Sequence, residues 1–149
     1  MPKHIASGLK YLAAVRLRDM GKTHQEIAKE LSVDRSTISH YLNGSNISWN
    51  SVEVARTITE LSPRDFMTMV FAIFDKPEES RKIVNICRIK DYDAFIEDSC
   101  IGCGLCVNVC MMKAIRLESL HAQADSIQCC GCQLCTDECP TNSIKILEI

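Results

Sequence analysis

The sequence predicts an α+β chain, an all-α N-terminal bundle followed by a small domain of duplicated βαβ repeats. Three observations carry this. Apolar residues recur at helical spacing as far as Cys87. From Ala94 onward the chain repeats itself with an offset of 29 residues. Cysteine content and charge both change near residue 90. Residues 1–90 hold one of the ten cysteines and fourteen Lys and Arg against ten Asp and Glu. Residues 91–149 hold nine cysteines and three basic residues against nine acidic ones. A basic half joined to an acidic, cysteine-packed half suggests two domains with different partners.

Leu9, Leu12, Ala13, Leu17 and Met20 line one face of a first helix, and Gly21 stops it. Thr23, with Glu26 three residues on, opens a second helix as a capping box, and Ile27, Ala28 and Leu31 form its buried stripe. After the turn at Ser32-Val33-Asp34, a third helix runs from Arg35 to Leu42 and ends at Asn43-Gly44. Residues 45–50 read as polar loop. A fourth helix, from Ser51 to Leu61, buries Val52, Ala55, Ile58 and Leu61. Ser62-Pro63-Arg64-Asp65 is a strong helix start. The helix that follows carries Phe66, Met67, Met69, Val70, Phe71, Ile73 and Phe74, more apolar surface than one face holds. Either a later helix or a second subunit must cover it, and it is the candidate surface for a homodimer. A sixth helix runs from Pro77 to Cys87, and residues 88–93 read as linker.

In the repeat, Cys100, Cys103, Cys106, Cys110 and Ile115 recur as Cys129, Cys132, Cys135, Cys139 and Ile144, with Gly102 matching Gly131. Each copy reads as a short strand, a cysteine loop, a turn or two of helix and a second strand. Both copies carry Cys-x2-Cys-x2-Cys-x3-Cys. Cysteines at every third position let one tight loop wrap three iron atoms of a 4Fe–4S cube, and a fourth thiolate must come from elsewhere. Zinc is the competing reading, but zinc sites commonly use two separated Cys-x2-Cys pairs. Residues 93–149 resemble the bacterial-type two-cluster ferredoxin family. In that arrangement the fourth cysteine of each run ligates the other cluster. The resemblance implies that Cys100, Cys103, Cys106 and Cys139 hold one 4Fe–4S cluster and that Cys110, Cys129, Cys132 and Cys135 hold the second. Gly102, Gly104 and Gly131 would let backbone N–H groups approach the cluster sulfurs. Pro140 follows Cys139 as the family expects, whereas Met111 stands where the first run should have proline, a departure expected to loosen the turn after Cys110. Cys130, a ninth cysteine aligned with Ile101, reads as an apolar filler, with a spare ligand or redox thiol as the alternative. A segment this short has too little apolar mass to fold well unaided, so the clusters stabilise it whatever else they do.

Residues 24–43 form a helix-turn-helix pattern. The helices cross at Ala28, over Ile27, Leu31, Val33, Ile38 and Tyr41 or Leu42. Ser32 stands where glycine is usual in the turn. The segment resembles DNA-binding helix-turn-helix regulators, most closely at 36–44 and more weakly through Leu61, where the spacing suits a compact repressor-type domain. The resemblance implies a recognition helix whose outward face, Arg35, Ser36, Ser39, His40 and Asn43 with Thr37 at its edge, is polar and free of acids and suits a major groove. Arg16, Arg18, Lys22 and Lys29 are candidates for phosphate contacts or plain solvated surface. A bundle that docks protein instead of DNA is the alternative.

The expected organisation is therefore a helix-turn-helix DNA-binding domain over residues 1–75, a helix and linker over 76–92, and a two-cluster ferredoxin-like domain over 93–149. The N-terminal ten residues lack the apolar stretch of a secretion signal, and no run approaches the ~20 apolar residues of a membrane span. A cytoplasmic chain is expected, in which clustered thiols stay reduced and act as ligands. No substrate-cradling glycine loop, nucleophile–base pair or further metal triad is visible, so no enzyme is expected. The leading expectation is a DNA-binding transcriptional regulator that senses redox state, oxygen or cluster supply and binds double-stranded DNA as a homodimer. An electron carrier whose helical half docks on a redox partner protein is the runner-up. A DNA-binding protein with purely structural clusters is the third reading.

Overall fold

The structure is a computed structural model and describes residues 3–44 and 47–149. Ser45 and Asn46, in the expected polar loop, lie outside the described residues. Contacts divide the chain into two compact units, Met1–Leu61 with Phe66–Ile89, and Ser62–Asp65 with Lys90–Ile149.

The first unit is built from α1 (Lys3–Asp19), α2 (His24–Leu31), α3 (Arg35–Leu42), α4 (Trp49–Thr59), most of α5 (Pro63–Ile73) and α6 (Pro77–Cys87). α1 is its centre and packs on α2, α3, α4 and α6. The close approach of α1 and α4 depends on Gly8, where a Cβ would lie 2.5 Å from the Ser51 carbonyl oxygen. Leu9, Ala13, Ala14, Leu17, Val52, Ala55, Ile83 and Val84 are buried. The capping box of α2 is formed: the Glu26 N–H donates to Thr23 Oγ1 at 3.2 Å, and the Thr23 N–H donates to Glu26 Oε1 at 3.3 Å. Ser32 closes α2 in the left-handed region at φ 55°, where its Cβ is strained and glycine would not be. Gly44 takes the left-handed position after α3 at φ 73°.

Several expectations change here. Met20 and Leu61 are exposed, because α1 and α4 end at Asp19 and Thr59, short of both residues. α4 starts at Trp49, because Ser48 Oγ accepts from the Ser51 N–H as its cap. In the apolar stretch 66–74, Phe66, Met67, Val70, Ile73 and Phe74 are buried within the single chain, and Met69 stays exposed. Most of that stretch is therefore covered within the chain, which leaves only Met69 and half-buried Phe71 of its apolar side chains at the surface. α6 groups with the helical unit rather than standing apart with a linker, and Tyr92, expected in the linker, opens the first strand.

The second unit follows the repeat: β1 (Tyr92–Ile96), α7 (Leu105–Val109) and β2 (Ile115–Glu118), then β3 (His121–Ala124), α8 (Leu134–Glu138) and β4 (Ile144–Glu148). The copies exchange strands. β1 pairs antiparallel with β4, from Tyr92↔Glu148 to Ile96↔Ile144, and β2 pairs with β3, from Ile115↔Ala124 to Glu118↔His121. Neither copy can close without the other. Cys106, Ile115, Ala122, Cys135 and Ile144 form one buried cluster, and Tyr92, Ala94, Ala114 and Cys129 form a second.

Candidate metal centres and recognition face

Two cavities in the second unit gather the repeat cysteines. The cysteines lining one are Cys100, Cys103, Cys106 and Cys139, and those lining the other are Cys110, Cys129, Cys132 and Cys135 together with Cys130. Each therefore takes the first three cysteines of one run and the last of the other, and the second cavity has Cys130 in its wall besides. Among the described residues no three His, Cys, Asp or Glu side chains converge on a single ion; each set of four stands around a space instead. An all-thiol set lining a small, largely apolar cavity fits an iron–sulfur cube.

The backbone aims N–H groups at these sulfurs in the same way in both copies. The N–H groups of Ala114 and Ser143 donate to Cys110 Sγ and Cys139 Sγ at 3.2 and 3.3 Å. Cys100 Sγ accepts from Gly102 and Ala122 at 3.4 and 3.5 Å. Such bonds stabilise thiolate charge and tune cluster potential. The loops need left-handed residues at matched places: Gly102 and Gly131, Gly104 and Gln133, Lys113 and Asn142. Met111 does not loosen its turn, for Cys110 (φ −76°, ψ 101°) and Cys139 (φ −74°, ψ 117°) hold nearly the same backbone with and without a following proline.

Side chains break the symmetry. Around Cys139, Ser143 bonds to Ser99 and Thr141, and Thr141 contacts the sulfur. Burial pushes the Cys139 thiol up, but the Ser143 N–H and the Thr141 hydroxyl outweigh it, and the net shift is down. At the matching places around Cys110 stand Met112 and Ala114, both buried. Cys135 is pushed up to about 12, first by burial. Cys132 is held down to about 6, first by the thiol of Cys130 and also by the Arg64 guanidinium. Cys130 is 5% exposed where its counterpart Ile101 is 64% exposed, and its own thiol is pushed up by the Cys132 hydrogen bond and by burial.

Sequence reasoning missed five residues. Tyr92 lies across Gly131, where a Cβ would come within 2.5 Å of its ring; the run Tyr92-Asp93-Ala94-Phe95-Ile96, apolar but for one acid, is the sequence signal of the strand that carries it. The hydroxyls of Ser99, Thr141 and Ser143 were overlooked as ordinary polar residues. Arg64 carries no signal at all, being 68 residues from Cys132.

In the helical unit, α3 exposes Arg35, Ser36, His40 and Asn43, while Thr37 and Ser39 are half-buried. Ser39 Oγ lies 3.3 Å from His24 Nδ1 on α2, so it is partly engaged within the motif. Ile38 is fully buried and anchors α3 from behind. Arg16 is not a ready phosphate contact, because its guanidinium donates to the carbonyls of Ile86 and Arg88 at 3.1 and 2.7 Å at the end of α6.

This architecture defines an iron–sulfur protein with a helix-turn-helix head: residues 99–143 match the 4Fe-4S dicluster domain family and residues 12–58 match a helix-turn-helix family. The chain carries two 4Fe–4S clusters. It is 34% identical over 149 residues to the ferredoxin-type protein FwdE of Methanocaldococcus jannaschii, covering 99% of each chain, and it belongs to that family. No solved structure matches it. No helix among the described residues is long and apolar enough to cross a membrane.

Proposed function

We propose that this chain is a cytoplasmic, non-enzymatic DNA-binding transcriptional regulator whose two-cluster unit senses redox state, oxygen or cluster supply. Cys100, Cys103, Cys106 and Cys139 hold one cluster, and Cys110, Cys129, Cys132 and Cys135 hold the other. When bound, each cluster supplies one-electron chemistry. Arg35, Ser36, Ser39, His40 and Asn43, with Thr37 at the edge, meet double-stranded DNA. The observation that carries the reading is α3 itself. It is short, anchored by buried Ile38 and tied to α2 through Ser39 and His24, and it presents exposed Arg35, Ser36, His40 and Asn43 with no acid between them. One such helix covers a half-site, so the working form is a homodimer with two heads about one DNA turn apart.

The test is operator affinity, with the operator first selected from random DNA under anaerobic conditions. Oxidised, reduced and cluster-free protein should differ by about tenfold or more, which corresponds to ~1.4 kcal/mol. Arg35→Ala should weaken binding by about 1–3 kcal/mol if it reads a guanine edge. Equal affinities in all three states would leave the clusters a structural role only.

A second reading is favoured by the relative, which is named a ferredoxin-type protein and aligns with this chain through its helical half as well. On that reading the chain carries electrons to a redox partner protein docked by the helices. Arg35→Ala separates the two: a carrier keeps its electron-transfer rate and selects no DNA.

A further inference from the structure

Arg64 lies outside both stretches that match known families, in the short segment Ser62–Asp65 that groups with the cluster unit. It begins α5, with Ser62 Oγ accepting from the Asp65 N–H to cap that turn. Its guanidinium donates to a carbonyl and to a carboxylate. Nε donates to the carbonyl of Cys132 at 2.9 Å, and an Nη donates to Asp137 Oδ2 on α8 at 2.7 Å. It therefore ties the middle cysteine of the second run to the helix that follows it. No basic side chain lies in the second cysteine run or in α8, which instead carries Asp137 and Glu138.

We propose that Arg64 is a positioning and potential-tuning residue for the cluster that Cys132 helps to hold, and that it makes the two clusters unequal. The inference rests on the ligand assignment above. Reduction adds one electron, and hence one negative charge, to a cluster. A fixed cation bonded to the peptide carbonyl of a ligand favours that added charge and raises the potential of the cluster it touches. The first cluster is tuned differently, through the Ser99, Thr141 and Ser143 hydroxyls around Cys139. Arginine rather than lysine suits the place, because one planar fork serves a carbonyl and a carboxylate together.

The experiment is an EPR-monitored potentiometric titration of the full chain, prepared anaerobically and reduced with dithionite, after iron counting has verified two complete clusters. Cys132→Ser identifies which signal belongs to the second cluster. Arg64→Gln should lower the potential of that cluster and leave the other unchanged. Arg64→Lys, which keeps the charge, should restore most of the shift. Asp137→Asn, which removes the carboxylate bonded to the cation, should move the same cluster upward. Opposite signs for Arg64→Gln and Asp137→Asn are the signature of charge, since a loop that is only loosened shifts the same way in both. The proposal is overturned if Arg64→Gln leaves both potentials in place, if both clusters shift alike, or if Arg64→Lys behaves as Arg64→Gln does. An iron count short of two clusters in the unaltered protein would instead sink the ligand assignment.

Discussion

Cys87 illustrates how a thiol with nothing to ligate is governed by burial. It is 1% exposed at the end of α6, and its Sγ–H points at the Leu9 carbonyl, 3.8 Å away. Burial pushes its pKa up to about 12 from an ordinary 9.0, with Arg16 opposing weakly. The folded state thus binds the proton more tightly than the unfolded chain. The stability this confers is complete below about pH 9 and is lost as pH rises towards about 12. Trp49, the one tryptophan, sits in the helical unit and reports on it. Denaturation followed by its fluorescence should show stability falling by up to a few kcal/mol over that alkaline window. Cys87→Ala should be less stable at neutral pH, from the cavity it leaves, yet should show a flatter alkaline decline. A decline equally steep in the variant would mean that another group is responsible.

The cysteine loops show which glycines a fold needs and which it merely tolerates. Gly102 and Gly104 both have positive φ, but their surroundings differ. A Cβ on Gly102 would fall 2.2 Å from the Leu120 carbonyl oxygen, a backbone atom of the β2–β3 turn that has nowhere to go. A Cβ on Gly104 meets only the tip of Leu117 at 3.3 Å, and the second copy already places Gln133 in that conformation at φ 61°. Gly102→Ala should therefore lose iron from the first cluster, whereas Gly104→Gln should keep it at a cost of about 1–2 kcal/mol for the left-handed backbone. Iron content and the visible absorbance of the purified variants check this; the reverse order would contradict the geometry. The β2–β3 turn itself was hard to foresee. Ser119 and Leu120 both take positive φ without glycine or asparagine, the residues by which such turns are usually recognised.

At the scale of the molecule, the two units rest on different stabilising forces. The helical unit buries Leu9, Ile27, Ile38, Val52, Val70, Ile83 and Val84 in a core of its own. The cluster unit has two small buried groups, one including Cys106 and Cys135 and the other Cys129. On the proposed ligand assignment its thiols come from both copies, so iron would close the duplicated fold as a clasp does. Oxidation followed by chelation should abolish the amide-exchange protection of residues 92–148, while α1 to α6 keep theirs. Retained protection in β1 and β4 would show that strand pairing alone suffices. The sensing proposal uses this difference, because losing a cluster alters far more structure than adding one electron.

The sequence was enough to determine whatever depends on local spacing. The Thr23–Glu26 box, the helices at Arg35 and Pro77, the strained Ser32 and both cysteine runs were legible because each arises from residues a few positions apart. The crossed ligand sets come from resemblance, and the cavities bring those cysteines near one another together with Cys130. Contacts between distant residues were decided only by tertiary structure. The apolar stretch 66–74 gave no sign of what would cover it, the basic Arg16 no sign that it would close the end of α6, and Arg64 no sign that it would meet Cys132. Local patterning fixes which face of an element is apolar or charged, but the partner that face meets is set by chain closure over scores of residues, and no short-range rule encodes it.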